Sequence, residues 1–325
     1  MNRKYLVASV LALGMGCAAA NPAVAQKDAY PAKPITMILT SAAGAGSDLI
    51  MRYLATKLTP ILGQQFVFDN RPGANGILAM TAVARSQPDG YTLTLGASSS
   101  HVLNPVLYKD LAYDAIKDFT AIGQLGTVSI LMVANKDFPP NDLKEFLAYV
   151  RNKTPAQQYA HYGIGSTGHF CGELLAQMAD VKLEHVPYKS VAGILTDMIG
   201  GTVQVGFTDM TSGSAAVKAG RVKAITSCTK RPPSLPQVDG YVDQGIDFDR
   251  EFRWVLYGPA GMKQAVVDRL SAALNQVLAM PDTVEKMREF GITVSPLTGE
   301  PLDRMNRQDI DEWREIARKA DIRAD

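Results

Sequence analysis

Two stretches of this chain carry small and hydroxyl-bearing residues at the spacing of an anion cradle. The first is "TSAAGAGSD" (40–48), between the apolar run "ITMIL" and the amphipathic "LIMRYLATKLTPIL". The second is "GIGSTGH" (163–169), between "YAHY" and "FCGELLAQMA". A glycine-bearing turn from strand into helix leaves main-chain N–H groups bare at the helix N-terminus, where partial positive charge favours an anion. That anion is either a cofactor phosphate or the carboxylate of a bound solute.

The phosphate reading is tested by spacing. Gly44-Ala45-Gly46 supplies two glycines of G-x-G-x-x-G, and Asp69, 23 residues beyond Gly46, could grip a ribose. Leu49 fills the third position, where close helix–strand packing wants a small residue. No dinucleotide or other cofactor is expected. The serines of "LGASSSH" and "GIGSTGH" lack the G-x-S-x-G frame of a nucleophile elbow. His101 and His169 are therefore expected to organise loops, and no catalytic residue is assigned. His101, His161, His169 and His185 lie scattered, without H-E-x-x-H or Cys-x-x-Cys spacing, so no metal site is expected.

The elements that must hold these loops alternate. "ITMILT" (35–40), "QQFVFDN" (64–70) and "DGYTLTLGAS" (89–98) read as strands or strand entries. Helical spacing over 47–62 and 76–87 separates them, with Ser47 or Asp48 as N-cap of the first helix. The pattern restarts with a strand at 126–136, a helix at 143–153 and a strand at 159–168. Helices follow at 169–179 and 191–201, and strands at 183–188, 203–209, 222–229 and 252–261. Helices at 265–280, 281–290 and about 301–319 close the chain. Strand–helix alternation predicts parallel, doubly wound sheets. Ligands of such sheets sit outside the carboxyl ends of the strands, where both loops fall. The expected fold class is α/β, two doubly wound lobes joined by a hinge. Lobe one comprises 28–125 and 252–325, lobe two 126–251, with crossings near 124–130 and 245–256.

The opening "MNRKYLVASVLALGMGCAAANPAVAQ" has a basic start, a short apolar core and Ala23-Val24-Ala25. It reads as a signal peptide, residues 1–25, cleaved near Ala25, which places the protein in the periplasm. Removing Arg3 and Lys4 from 33 basic residues leaves 31 against 32 acidic, so no nucleic-acid partner is expected. Cys171 and Cys228 form either one disulfide or two buried thiols.

A set of motifs in fixed order then carries a resemblance: "YPAKPITMIL", "LGQQFVFDNRPGANG", "QPDGYTLTLG", "LNPVLYKDLAYDAIKDF", "YGIGSTGHFCGELL", "VPYKS" and "GRVKAIT". Across roughly 30–320 the chain resembles the extracytoplasmic solute receptors of tripartite tricarboxylate transporters, the Bug receptors. The resemblance implies a type II periplasmic binding protein, a Venus flytrap that closes on a small organic carboxylate. It also implies transient delivery to membrane transporter subunits by a monomer that is not an enzyme. By position it assigns ligand binding to Ser41, Ala43, Gly44, Gly46, Ser47 and Asp48 of the first loop. It adds Ser98 and Ser99 after the third strand, Gly165, Ser166, Thr167 and His169 in the second lobe, and Tyr188 and Asp209. Plainer roles stand beside these: a helix cap for Asp48 or the serines, interlobe packing for Tyr188, and turn residues for Arg71 and Gly73.

Three edge segments depart from the family pattern. The first loop has alanines and hydroxyls in place of Pro-Phe-Pro-Pro-Gly-Gly-Gly, the late strand leads into "FTDMTSG", and Val191 follows "VPYKS". Smaller loop residues leave room for an aromatic carboxylate as well as di- or tricarboxylates. A secreted hydrolase using the Ser/His loops and a non-transport sensor on the same fold are the alternatives.

Overall fold

The computed structural model describes residues 30–248, 250–319 and 322, so the expected leader lies outside the described residues. The chain runs β1 (Ile35–Leu39), α1 (Gly46–Leu62), β2 (Phe66–Asn70), α2 (Ile77–Ala84), β3 (Thr92–Ala97), α3 (Asn104–Leu107) and β4 (Phe119–Val128). Then come β5 (Ile130–Ala134), α4 (Leu143–Val150), β6 (Gln157–His161), α5 (Thr167–Met178) and β7 (Leu183–Pro187). Next are α6 (Val191–Ile199), β8 (Val205–Asp209), α7 (Met210–Lys218) and β9 (Lys223–Ser227). The last elements are β10 (Phe252–Pro259), α8 (Gln264–Leu278), α9 (Pro281–Glu289), β11 (Ile292–Leu297) and α10 (Gly299–Lys319).

Two sheets result, ordered β11-β4-β10-β3-β1-β2 and β7-β6-β8-β5-β9. The interior strand β1 is almost wholly buried, as a strand covered on both faces must be. Helix α1 buries Ile50, Leu54, Leu58 and Leu62, an i, i+4 stripe whose members each contribute roughly 1.5–3 kcal/mol. Gly63 ends it in the left-handed region at φ 76°, giving its N–H to Thr59 O.

Neither sheet is purely parallel, which refines the expectation. β1, β2 and β3 are parallel, but β10 runs antiparallel between β3 and β4. In the second sheet β6, β7 and β8 are parallel, while β5 opposes β8 and β9. The cause is the double crossing. β5 and β10 each arrive from the other sheet, entering at the carboxyl ends of their neighbours and so running against them.

The run 126–136, read as one strand, is two. Gly126 pairs with Trp254 in the first sheet and Ile130 with Asp209 in the second, with Ser129 between. There Ser129 Oγ lies 2.5 Å from Ser227 Oγ and accepts from Thr229 Oγ1 at 2.8 Å, so buried hydroxyls satisfy one another at the crossing. β11 is also additional to the expectation: an edge strand that carries Pro296 and lacks clean alternation. Cys171 of α5 and Cys228, just after β9, are joined as a disulfide, which resolves the two alternatives for the thiols.

Candidate functional site

The first loop leads from β1 into α1. Gly44 takes the left-handed region at φ 79°, turning the chain so that Ala42, Ala43 and Gly44 stand exposed. The N-cap is Ala45, not Ser47 or Asp48 as the sequence suggested; both of those are buried in the first turn. The hydroxyl expected at the cap comes instead from Ser41, whose Oγ accepts the Asp48 N–H at 3.3 Å and lies 2.8 Å from Ser47 Oγ.

Asp48 is the buried keystone of this loop. Its carboxylate accepts the Gly44 N–H at 2.8 Å, Arg52 Nε at 2.9 Å and Asn70 Nδ2 at 3.1 Å. Burial pushes its pKa up, but these bonds from Arg52, Gly44 and Asn70 outweigh burial and hold it below its ordinary value. Asp48 thus folds the loop and takes up both the Gly44 amide and the Arg52 cation. The first-turn amides of Gly46 and Ser47 are among those a helix leaves without internal acceptors.

Linkage gives Asp48 a signature. Because its folded pKa is depressed, the stability it contributes is present above the unfolded value of about 3.9 and is lost as pH falls through the folded one. Asp48→Asn is expected to lower stability at pH 7 by about 2 kcal/mol, through weakened charge-assisted bonds. The deficit should begin to shrink in urea titrations below about pH 4, where the unfolded-state carboxyl takes up its proton, and vanish once pH falls through the lower folded value. A deficit that stayed constant down to pH 3 would remove the carboxylate from this role.

After β3, Ser98 is buried and its Oγ accepts the Arg253 N–H at 2.8 Å, tying the loop to β10. Ser100 binds back to Ala97, and Ser99, half-buried, turns with them into a π-type turn over Ser99–Leu103. His101 stacks on Tyr257 with centroids 4.1 Å apart, and complete burial pulls its pKa down to about 3. It is a neutral core residue of the first lobe.

In the second lobe Ser166 caps α5, its Oγ accepting the main-chain N–H of His169 at 3.2 Å. The His169 ring does not bond that hydroxyl: its Nδ1 accepts the Gly165 N–H at 3.2 Å. Gly165, at φ 75°, is pressed against Leu107 and Tyr108, and Thr167 Oγ1 bonds Tyr162 OH. Asp209 caps α7 by accepting the Ser212 N–H at 2.8 Å; burial raises its pKa. Tyr188 gives its hydroxyl to Asp197 of α6 at 2.8 Å.

Residues beside the first sheet also bond residues beside the second. Asn75, at φ 49° in the "NRPGANG" loop, donates to Gly165 O at 2.9 Å, and Tyr108 OH donates to Ile164 O at 3.1 Å. Thr211 Oγ1 donates to Phe290 O at 2.8 Å. The Trp254 ring stands 4.0 Å from where a Cβ on Gly46 would sit. Asn75, Tyr108 and Trp254 were not singled out from sequence; the Asn-Gly pair was the one available signal. The structure also gathers three of the scattered histidines, His161, His169 and His185, behind the second loop. A cavity of about 260 Å³ lined by His101, Tyr257, Asp303 and Arg307 opens within lobe one. It holds no helix N-terminus from the two loops. Among the described residues no helix is long and apolar enough to cross a membrane.

The chain matches the family described as "Tripartite tricarboxylate transporter family receptor" over residues 50–322. Among solved structures it is similar to the periplasmic binding protein BugD, with 33% identity and TM-score 0.84 over 90% of this chain and 99% of that one. It is similar to Rpa4515 of R. palustris with adipate, at 27% identity and TM-score 0.86 over 90% and 99%. MatC of Rhodopseudomonas palustris with bound malate gives 29% and 0.78 over 88% and 99%.

Proposed function

Because this chain belongs to the tripartite tricarboxylate transporter family of receptors, we propose that it binds a small organic carboxylate between its lobes and delivers it to membrane subunits. One observation carries the reading. Loops at strand carboxyl ends in each lobe, 40–48 and 163–169, open into the N-termini of α1 and α5. Each loop is locked by its own polar groups, and the Arg52 beside the first is spent on Asp48. Recognition of charge then falls to first-turn amides, half-exposed hydroxyls such as Ser99, and bridging water.

The energies suffice. A bond to a charged group contributes about 1.5–3 kcal/mol, and micromolar affinity requires about 8 kcal/mol. Four or five such bonds approach it before binding costs. Adipate and malate, bound by two of the similar proteins, are dicarboxylates and support this ligand class. The bodies that close are 28–125 with 252–325 against 126–251.

A thermal-shift panel of dicarboxylates, aromatic carboxylates and their matched amides tests the class. At a hundredfold its Kd, a true ligand should stabilise by about 2.7 kcal/mol, and its amide should do nothing. Amides as effective as acids would refute the carboxylate reading.

A further inference from the structure

We propose that His161, His169 and His185 form a binding site for a divalent d-block ion such as zinc, at the base of the second loop. Two strands and one helix bring them together: His161 ends β6, His185 lies on the neighbouring β7, and His169 is in the first turn of α5. Ring centroids are 4.5 Å apart for His161 and His169, 4.8 Å for His169 and His185, and 5.3 Å for His161 and His185. One ring nitrogen from each falls within 4.8 Å of the other two.

Two of the nitrogens already stand at the spacing of ligands on one ion. His161 Nδ1 lies 2.8 Å from Gly163 O, and a carbonyl only accepts, so Nδ1 bears the proton and Nε2 presents its lone pair. That Nε2 is 3.2 Å from His185 Nδ1. Two nitrogens on a tetrahedral ion at about 2.0–2.1 Å are about 3.3 Å apart, so an ion fits where a shared proton now sits. A backbone carbonyl fixing the far nitrogen of a ligating histidine is the usual outer-sphere support. His169 ligates through either nitrogen only by ending the 3.2 Å bond from Gly165 N–H, which the ion replaces. Glu173 Oε1, 3.9 Å from His169 Nε2 and bonded to Tyr159 OH, stands as the carboxylate beside that ring.

The donor set selects the ion. Three imidazoles suit zinc, cobalt, nickel or copper, whereas calcium and magnesium want oxygen. His161 and His169 are buried and His185 is exposed, so the site opens to solvent on one side, leaving a fourth position for water.

The test uses the chain from Gln26 onward with no histidine tag, stripped by chelator and titrated with Co²⁺ and Zn²⁺. One ion per chain is expected, with Co²⁺ giving the visible bands of a tetrahedral site and Mg²⁺ giving no binding. His185→Ala, an exposed change on an edge strand, should keep the metal-free melting temperature. It should weaken Zn²⁺ binding by more than about tenfold, since even outer partners of a ligand are worth 10–100-fold. Absence of stoichiometric Co²⁺ and Zn²⁺ binding, or equal affinity in His185→Ala, would overturn the site.

Discussion

Gly46→Pro is expected to weaken carboxylate binding by about 10- to 100-fold while leaving the protein folded. Gly46 is the first residue of α1, where proline is tolerated because the N–H it lacks has no helical acceptor. Ala45 before it is extended, at φ −118° and ψ 164°, the conformation a residue preceding proline prefers. A Cβ at position 46 would meet only the Trp254 ring, at 4.0 Å. The substitution therefore removes one amide hydrogen and little else, and proline's restriction of the unfolded chain should hold or raise stability by about 0.4–1 kcal/mol. Losing one bond to a charged ligand costs about 1.5–3 kcal/mol, which sets the expected fold-change. Calorimetric titration with the best carboxylate from the thermal-shift panel measures it. Gly46→Ala, which keeps the N–H, should bind like wild type. Equal affinities for the alanine and proline variants would take this amide out of the site.

The second large effect concerns the disulfide. Cys171 and Cys228 are both fully buried and close a loop of sequence separation 57. Constraint of the unfolded chain over that length is worth about 4 kcal/mol. Cys171→Ala with Cys228→Ala is expected to lose that amount in urea unfolding and roughly 6 °C in melting temperature. Because the bridge pins α5, the helix behind the second loop, to the exit of β9, the loss falls on the lobe that holds Ser166. Reductant should lower the melting temperature of wild type and leave the double variant unmoved. A loss under about 1 kcal/mol would mean that burial of the sulfurs, not the crosslink, is what this position contributes.

The loops were legible because their signals are local. Apolar runs, glycines and an amphipathic period fix where a strand yields to a helix, and 40–48 and 163–169 lie at such junctions. Strand direction was not legible: periodicity reports burial, and β5 and β10 look like any buried strand until their partners are known. The single residue Ser129 between β4 and β5 carries no glycine or proline to mark the change of sheet. Sequence alone offers Asp48 as a cap or a ligand contact. Its true partners, Gly44, Arg52 and Asn70, come from a turn, a helix face and a neighbouring strand, and only the second is fixed by local spacing. The histidines looked scattered because their meeting depends on β6 pairing β7 and on α5 folding back over both. Tyr188 sat in a recognisable motif, yet its hydroxyl is committed to Asp197 one helix away.

A crystal structure of the protein loaded with its tightest carboxylate tests the central claim most directly. The account predicts the carboxylate within hydrogen-bonding distance of main-chain amides at the first turn of α1, with the first turn of α5 facing it from the other lobe. A carboxylate gripped chiefly by arginine or lysine side chains, or lodged in the lobe-one cavity beside Arg307, would contradict it.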